Sequence, residues 1–279
     1  MTQTVSLNEA SEQLGVHYMT AYRYVRTGRL PAEKRGGQWF VDLEDLALVE
    51  TGRITSATGA SNRSTILPGR IEERLLAGDE TGTFQILEAA MAGGADPDEA
   101  YLDLLAPALT NIGQRLHDGE ITIADEHLAT AAAMRVVARL GTRAATRRGR
   151  SRGTIILASV ADDQHFLPTA ILRDLLRHRG FEVEDLGANT PADTMAAFAG
   201  DRNDLVALGL VATTPGAEQV TAETIETIRR TLPTTPIVVG GAAFDDAEEI
   251  AKLGDCIPSK DARDALSIFD RLHEELRAG

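Results

Sequence analysis

His165 and Asp163 are the residues whose types and spacing most directly suggest a chemical function. They follow the apolar run Thr154–Ser159, which predicts a buried strand, and they precede a helical pattern that Gly180 ends. Open α/β sheets bind their ligands at the carboxyl ends of the strands. Asp163 could hold one ring nitrogen of His165 and so leave the other for a metal ion. The alternative interpretation is a loop histidine that caps the following helix.

Composition limits the classes of protein that this sequence can encode. The 279 residues carry 28 Lys and Arg against 42 Asp and Glu, and the net charge of −14 argues against coating nucleic acid by bulk charge. The single Cys256 excludes an internal disulfide framework and a cysteine-based zinc site. No apolar run approaches the roughly 20 residues of a membrane span. Residues 1–5 have no signal-peptide pattern, so we expect a cytoplasmic protein without membrane attachment.

The pattern of apolar, polar and glycine residues along the chain predicts a multidomain protein with three domains. Residues 1–50 contain a capping-box start at Ser6, two short helical patterns and a Gly-Gly hairpin, which predict a winged helix-turn-helix. Residues 51–68 are small and polar and predict a linker. Residues 69–148 predict a four-helix bundle. Residues 153–279 alternate strand and helix patterns, which predicts a Rossmann-like α/β domain with a parallel sheet.

A basic cluster in the first domain predicts contact with DNA. Residues 18–35 contain five basic residues and one acidic residue, on an otherwise acidic protein. Arginine can read guanine edges in the major groove, and basic residues of a wing can bind phosphates. The predicted DNA-binding residues are Tyr22, Arg23, Arg26, Lys34 and Arg35. A winged helix that binds protein is the alternative, and the excess of positive charge disfavours it.

The same segment resembles the helix-turn-helix domains of the MerR/excisionase type. The matching segments are Leu7–Ala10, Leu14–Val16, Thr20–Val25, Gly28–Pro31 and the wing Gly36–Val41. The resemblance implies a double-stranded DNA operator as the partner. Trp39 of the wing is expected to pack into the core of the domain.

The Asp-x-His pair resembles the D-x-H-x-x-G signature of cobalamin-binding Rossmann domains. In that family the histidine becomes the lower axial ligand of cobalt. The resemblance therefore implies cobalamin as the cofactor, His165 as a metal ligand and Asp163 as the residue that orients it. Pro168 stands where the family has glycine, and this is a departure from the signature.

A second part of the resemblance concerns the nucleotide tail, which such modules thread into the sheet past a Ser-x-Leu motif and a Gly-Gly turn. Gly240 and Gly241 match the turn. Gly209 and Val211 stand in place of the serine and the leucine, so a hydroxyl that would contact the tail is missing. Thr213 or Thr214 could supply it.

The helical domain resembles the cap of CarH/LitR-type photoreceptor repressors. Glu126 and His127 stand where that family has Glu-His, and nine residues separate this pair from the position of a tryptophan, which Leu116 occupies here. In the family the tryptophan packs over the adenosyl group. His117 resembles a second histidine that can ligate cobalt from above once that group is lost. The alternative is that the two histidines and Glu126 are ordinary helix-end residues, favoured there by the helix dipole.

Taken together, the resemblance implies a light-responsive, cobalamin-binding transcriptional repressor that is not an enzyme. Adenosylcobalamin is the expected cofactor, although the smaller Leu116 leaves open another cobalamin form or a second chromophore. The cofactor's upper ligand would control a homo-oligomer, a dimer or tetramer, and thereby DNA binding. The alternatives are a regulator with another chromophore or no cofactor, and a corrinoid methyl-carrier protein. The N-terminal domain argues against the carrier.

Overall fold

A computed structural model describes residues 4–14, 21, 25, 30, 32–35, 38–42, 67–144 and 151–278 of the chain. The chain divides into two compact units, Met1–Val136 and Val137–Gly279. Among the described residues, no helix is both long enough and apolar enough to cross a membrane.

The N-terminal residues form a small antiparallel sheet with one helix. Strand β3 (Gln38–Asp42) lies between β1 (Thr4–Ser6) and β2 (Glu33–Arg35), and helix α1 spans Leu7–Gln13. The predicted capping box is confirmed, because the Ser6 backbone N–H donates to Glu9 Oε2 at 2.8 Å and the Glu9 N–H donates to Ser6 Oγ at 3.3 Å. Trp39 is partly buried against the core of this domain.

Of the five predicted DNA-binding residues, two belong to the part of the chain that the structure describes. Tyr22, Arg23 and Arg26 lie outside the described residues. Lys34 and Arg35 lie in β2, opposite Trp39 and Gln38 of β3. The predicted hairpin is therefore present, and DNA contact by these five residues stays a prediction.

Four helical segments follow, as the apolar periodicity predicts. Helix α2 spans residues 67–76 and α3 spans Glu80–Ala92. A π-helical turn, Glu99–Leu105, leads into α4 (Ala106–His117), and α5 spans Ile123–Ala144. Their shared core includes the buried side chains of Ile71, Leu75, Phe84, Leu87, Leu105 and Ile112. An ion pair of 2.7 Å between Arg115 and Glu72 joins α4 to α2.

The C-terminal residues form the predicted parallel sheet. Its strands are β4 (Thr154–Ser159), β5 (Glu182–Asp185), β6 (Leu205–Val211), β7 (Ile237–Gly240) and β8 (Ile257–Pro258). They lie in the order β5-β4-β6-β7-β8, and all pairs are parallel. Strand β5, the next along the chain, lies on one side of β4, and β6 lies on the other side. The topological switch point, where open sheets bind ligands, therefore lies between β4 and β6.

Helices cover both faces of this sheet. They are α6 (Leu167–His178), α7 (Ala192–Gly200), α8 (Glu218–Thr231), α9 (Ala247–Ala251) and α10 (Ala262–Ala278). Helices α7, α8 and α9 pack on one face in a cluster that includes Ile156, Leu208 and Ile225. Helices α6 and α10 pack against β4 and β6, and Leu157 and Phe269 are fully buried there. Each such side chain contributes about 1.5–3 kcal/mol through burial.

Candidate functional site

The loop that follows β4 holds His165 in a fixed orientation. His165 Nδ1 lies 2.8 Å from Asp163 Oδ1, and the His165 backbone N–H donates to the same oxygen at 3.0 Å. The Asp163 side chain is 1 % exposed, whereas His165 is 64 % exposed. Because Nδ1 faces the carboxylate, Nε2 is the nitrogen left for a ligand or a metal ion.

Asp163 is itself held by Thr213, which lies just beyond the carboxyl end of β6. The Thr213 backbone N–H donates to Asp163 Oδ2, and the Thr213 hydroxyl lies 3.0 Å and 2.9 Å from the two carboxylate oxygens. Burial alone would raise the pKa of Asp163, but the hydrogen bonds from Thr213 and His165 outweigh it and lower this pKa below its ordinary value. Asp163 is therefore a buried carboxylate, the form that orients an imidazole.

Three further hydrogen bonds fix the loop. Ser159 Oγ donates to the His165 carbonyl at 2.8 Å. The Asp162 N–H donates to the Asn189 side chain, and the Asn189 N–H donates to the Asp163 carbonyl, both at 2.8 Å. Loops after β4, β5 and β6 thus converge on one histidine at the switch point. The sequence suggested the Asp163–His165 pair, but it did not suggest Thr213 or Asn189 as its supports.

A cavity of about 430 Å³ opens beside this pair. Its walls come from the loops after β4 and β6 and from the first turns of α8, and they include Asp162, Asp163, Thr214, Gln219 and Glu223. The volume falls within the range of small-molecule sites, which is about 300–1,000 Å³. Asp163 contributes to the wall and His165 does not, so the cavity adjoins the loop that carries the histidine.

The positions predicted to receive a nucleotide tail are closely packed. Gly209 and Val211 are buried in β6, and Val211 pairs with Gly240 of β7. Gly241 has a φ of +131°, and an added Cβ would collide with the Ala212 backbone. Gly240 is the last residue of β7 and Gly241 follows it directly, and a role of the two glycines in binding a nucleotide tail stays a prediction. The Thr213 hydroxyl, one of the two that could replace the missing serine, is engaged in holding Asp163.

The predicted cap residues lie at two helix ends, in the unit that ends at Val136. Leu116 is partly buried and His117 is exposed at the end of α4. Glu126 accepts a hydrogen bond from Thr130 Oγ1 at 2.6 Å in the first turns of α5. His127 is 75 % exposed, and its Nε2 lies 3.7 Å from Glu126 Oε2. These contacts are local, and the cofactor-binding roles of the four residues stay predictions.

Three protein-family models match the chain, and each covers one of the predicted domains. Residues 4–49 match a helix-turn-helix domain. Residues 69–140 and residues 153–269 each match a B12 binding domain. The chain therefore combines a DNA-binding type of domain with two domains of the B12-binding class, and a corrinoid is the cofactor that these domains indicate.

The chain is also similar to curated proteins of two kinds. It is 33 % identical to the HTH-type transcriptional repressor CarH of Myxococcus xanthus over 168 residues, which are 59 % of this chain and 54 % of that protein. The match thus spans about half of the length of that repressor. The chain is 24 % identical over 211 residues to the trimethylamine corrinoid protein of Methanosarcina barkeri, covering 74 % of this chain and 96 % of that one.

A solved structure supports the fold. The monomethylamine corrinoid protein of Methanosarcina barkeri superposes with a TM-score of 0.56 at 17 % identity, over 71 % of this chain and 94 % of that chain. At this identity the likeness concerns the fold alone. The helix-turn-helix domain together with the two B12-binding domains matches the CarH-type architecture, as the sequence resemblance implied.

Proposed function

We propose that this protein is a cobalamin-dependent transcriptional repressor. The observation that carries the proposal is the Asp163–His165 pair at the switch point of a B12-binding fold. His165 would hold the cobalt through Nε2, while Asp163 and Thr213 keep the imidazole in the required tautomer and orientation. A loop histidine that served only to cap a helix would need neither the buried carboxylate nor its second support.

The residues present fit a corrinoid at this edge of the sheet. The exposed imidazole leaves one nitrogen available, and a cavity adjoins Asp162 and Asp163 of the same loop. When bound, adenosylcobalamin would supply a cobalt–carbon bond that light can cleave. In the cap, His117 and Glu126-His127 are the residues that we propose for the upper side of the cofactor, with Leu116 in the position of the family's tryptophan.

A change in the cofactor would alter DNA binding through the oligomeric state of the protein. We propose a homo-oligomer, a dimer or tetramer, that presents several winged helices to one double-stranded operator, so that loss of the assembly lowers the affinity through lost multivalency. Light that removes the upper ligand would be the signal. Arg23 and Arg26 would read bases, and Lys34 and Arg35 would contact phosphates. The absence of enzymatic activity and a cytoplasmic location are parts of the same proposal.

A corrinoid carrier is the second candidate, because the match to the trimethylamine corrinoid protein covers nearly all of that relative. The helix-turn-helix match over residues 4–49 favours the regulator, since a carrier has no use for a DNA-binding domain. The regulator and the carrier share the corrinoid site and differ in DNA binding. A regulator of this fold with another chromophore would differ from both in its absorption spectrum.

Gel-shift assays on the full chain separate these candidates. With adenosylcobalamin in the dark, we expect retention of a specific genomic fragment, and illumination should release it. The Arg23→Ala variant should lose about 1–3 kcal/mol of discrimination between fragments, whereas Lys34→Ala should weaken binding to all of them and lower the salt dependence. If no genomic fragment is retained in the dark, the repressor proposal is wrong. If retention is unaffected by light, the light response is wrong.

A further inference from the structure

Two neighbouring loops at the carboxyl edge of the sheet contact each other through residues in the left-handed backbone conformation. Among the residues that the structure describes, Asp162 and Asn189 are the two that have a positive φ without being glycine, at 67° and 50°. Asp162 follows β4 and Asn189 follows β5. Residues other than glycine adopt this conformation rarely, and asparagine and aspartate tolerate it best. Both conformations therefore need support from the surrounding structure.

Asn189 supplies that support to Asp162. The Asn189 side-chain oxygen accepts a hydrogen bond from the Asp162 N–H at 2.8 Å, and the Asn189 N–H donates to the Asp163 carbonyl at 2.8 Å. One residue thus holds the first N–H and the last carbonyl of the Asp162-Asp163 segment. Asn189 is itself followed by an anchored residue, because the Thr190 N–H donates to the Ser159 carbonyl at 3.1 Å.

The bond to Asp162 stabilises a tight turn that precedes the histidine. The Asp163 N–H donates to the Val160 carbonyl at 3.2 Å, which closes a four-residue turn with Asp162 in its third position. A positive φ at this position favours glycine or asparagine, and aspartate takes a negative φ more readily. Without the Asn189 oxygen the turn would populate conformers with a negative φ at Asp162. Fewer molecules would then hold the Asp163 carboxylate in line with His165 Nδ1.

We propose that Asn189 is a positioning residue for the cobalt ligand. Its side-chain oxygen holds Asp162 in the left-handed conformation, and this keeps Asp163 directed at the His165 imidazole before the corrinoid binds. The inference rests on the proposed function, because it takes His165 as the ligand of the cobalt. When only a fraction of the molecules has the binding conformation, the apparent affinity falls by that fraction. One hydrogen bond of this kind therefore corresponds to about 3–10-fold in corrinoid affinity.

The test is the variant Asn189→Gly in the full chain. Glycine reaches the φ of Asn189 without strain and can keep the backbone bond to Asp163, so the variant removes the side-chain oxygen alone from this contact. Hydroxocobalamin is titrated in the dark and followed by absorption, and we expect it to bind the variant about 3–10-fold more weakly than wild type. Asn203→Gly is the matched control, since Asn203 is exposed in the bend before β6, and it should bind like wild type.

A second variant separates positioning from a general effect on stability. Glycine adopts positive and negative φ about equally, so Asp162→Gly should make the Asn189 oxygen nearly dispensable. In that background we expect Asn189→Gly to weaken binding by less than about twofold. The cofactor-free proteins, labelled with nitrogen-15 histidine, are compared by NMR at a pH where the ring is neutral. Wild type should show the Nδ1–H tautomer of His165, and Asn189→Gly should show a mixture of tautomers.

Three outcomes would count against these assignments. An unchanged affinity or an unchanged tautomer in Asn189→Gly would overturn the inference and leave the proposed function intact. An equal loss of affinity in the wild-type and Asp162→Gly backgrounds would also overturn it, because Asn189 would then act without Asp162. Failure of hydroxocobalamin to bind wild-type protein would overturn the proposed function, and this inference with it.

Discussion

Two regions of this protein carry histidines predicted to bind the same cofactor, and they differ in how those histidines are held. His165 at the sheet edge contacts a carboxylate that is 1 % exposed and that Thr213 holds from another strand. His127 of the helical domain is 75 % exposed, and its nearest carboxylate oxygen is 3.7 Å away on the preceding residue. A histidine side chain whose orientation is already fixed loses little conformational entropy when it binds a metal ion. We therefore expect His165 to contribute most of the affinity for the corrinoid. The histidines of the helical domain should act after this first binding step.

The largest effect should come from removal of His165 itself. His165→Ala should weaken corrinoid binding by at least about 100-fold, because loss of a metal ligand should cost more than loss of its outer support. Gln164→Ala is the matched control, since Gln164 is an exposed neighbour in the same loop. The measurement is an absorption titration with hydroxocobalamin. Equal affinities of the two variants would show that the histidine does not bind the cobalt.

Removal of the charge that orients the imidazole should have the next largest effect. Asp163→Asn keeps the size of the side chain but removes the carboxylate that faces His165 Nδ1, so we expect an affinity loss of about 10–100-fold. Asp162→Asn is the control, because Asp162 is exposed and asparagine tolerates its positive φ of 67°. A loss that is the same in both variants would point to a general charge effect.

Removal of the second support should have a smaller effect. Thr213→Val deletes the hydroxyl that bonds Asp163 and retains the backbone N–H bond, so the free energy of unfolding should fall by about 1.5–3 kcal/mol. Thr214→Val changes an exposed side chain next to it and should be nearly neutral. Thermal denaturation of the cofactor-free proteins compares the two. If Thr213→Val is as stable as Thr214→Val, this hydrogen bond contributes nothing measurable.

The smallest effect in the dark should come from the cap. His117→Ala removes an exposed side chain, and we expect it to change dark affinity for adenosylcobalamin by less than about threefold. After illumination the variant should lose its corrinoid faster than wild type, as followed by absorption and gel filtration. If the illuminated variant and wild type retain the corrinoid equally, His117 is a helix-end residue and the light response needs another trigger.

The sequence predicted the sheet domain well because its signals are local. Buried runs such as Thr154–Ser159 and Leu205–Val211 are continuous and apolar, and glycines and prolines bound the helices between them. Strand β1 was not predicted, because three residues carry no pattern and pairing with β3 decides their conformation. The π turn Glu99–Leu105 was also missed, since its apolar periodicity resembles that of an α-helix.

The candidate site was predicted only where its residues are neighbours in the chain. Asp163 and His165 are two residues apart, and the spacing alone suggested their contact. Thr213 lies 50 residues further along, and it meets Asp163 because β4 and β6 are adjacent in the sheet. A search for hydroxyl residues at the carboxyl end of the neighbouring strand would have found it. The packing of Leu157 and Phe269 on Gly209 depends on side-chain positions, which no local pattern encodes.

The central claim is that His165 is the protein's ligand to cobalt, and electron paramagnetic resonance tests it most directly. The protein is loaded with cobalt(II) cobinamide, which carries no nitrogen base of its own on the lower face. We predict that each cobalt hyperfine line splits into a triplet from one axial nitrogen, and into a doublet when the protein is labelled with nitrogen-15 histidine. His165→Ala should abolish the splitting, while Gln164→Ala should retain it. An unsplit wild-type spectrum, or a splitting that survives in His165→Ala, would contradict the account.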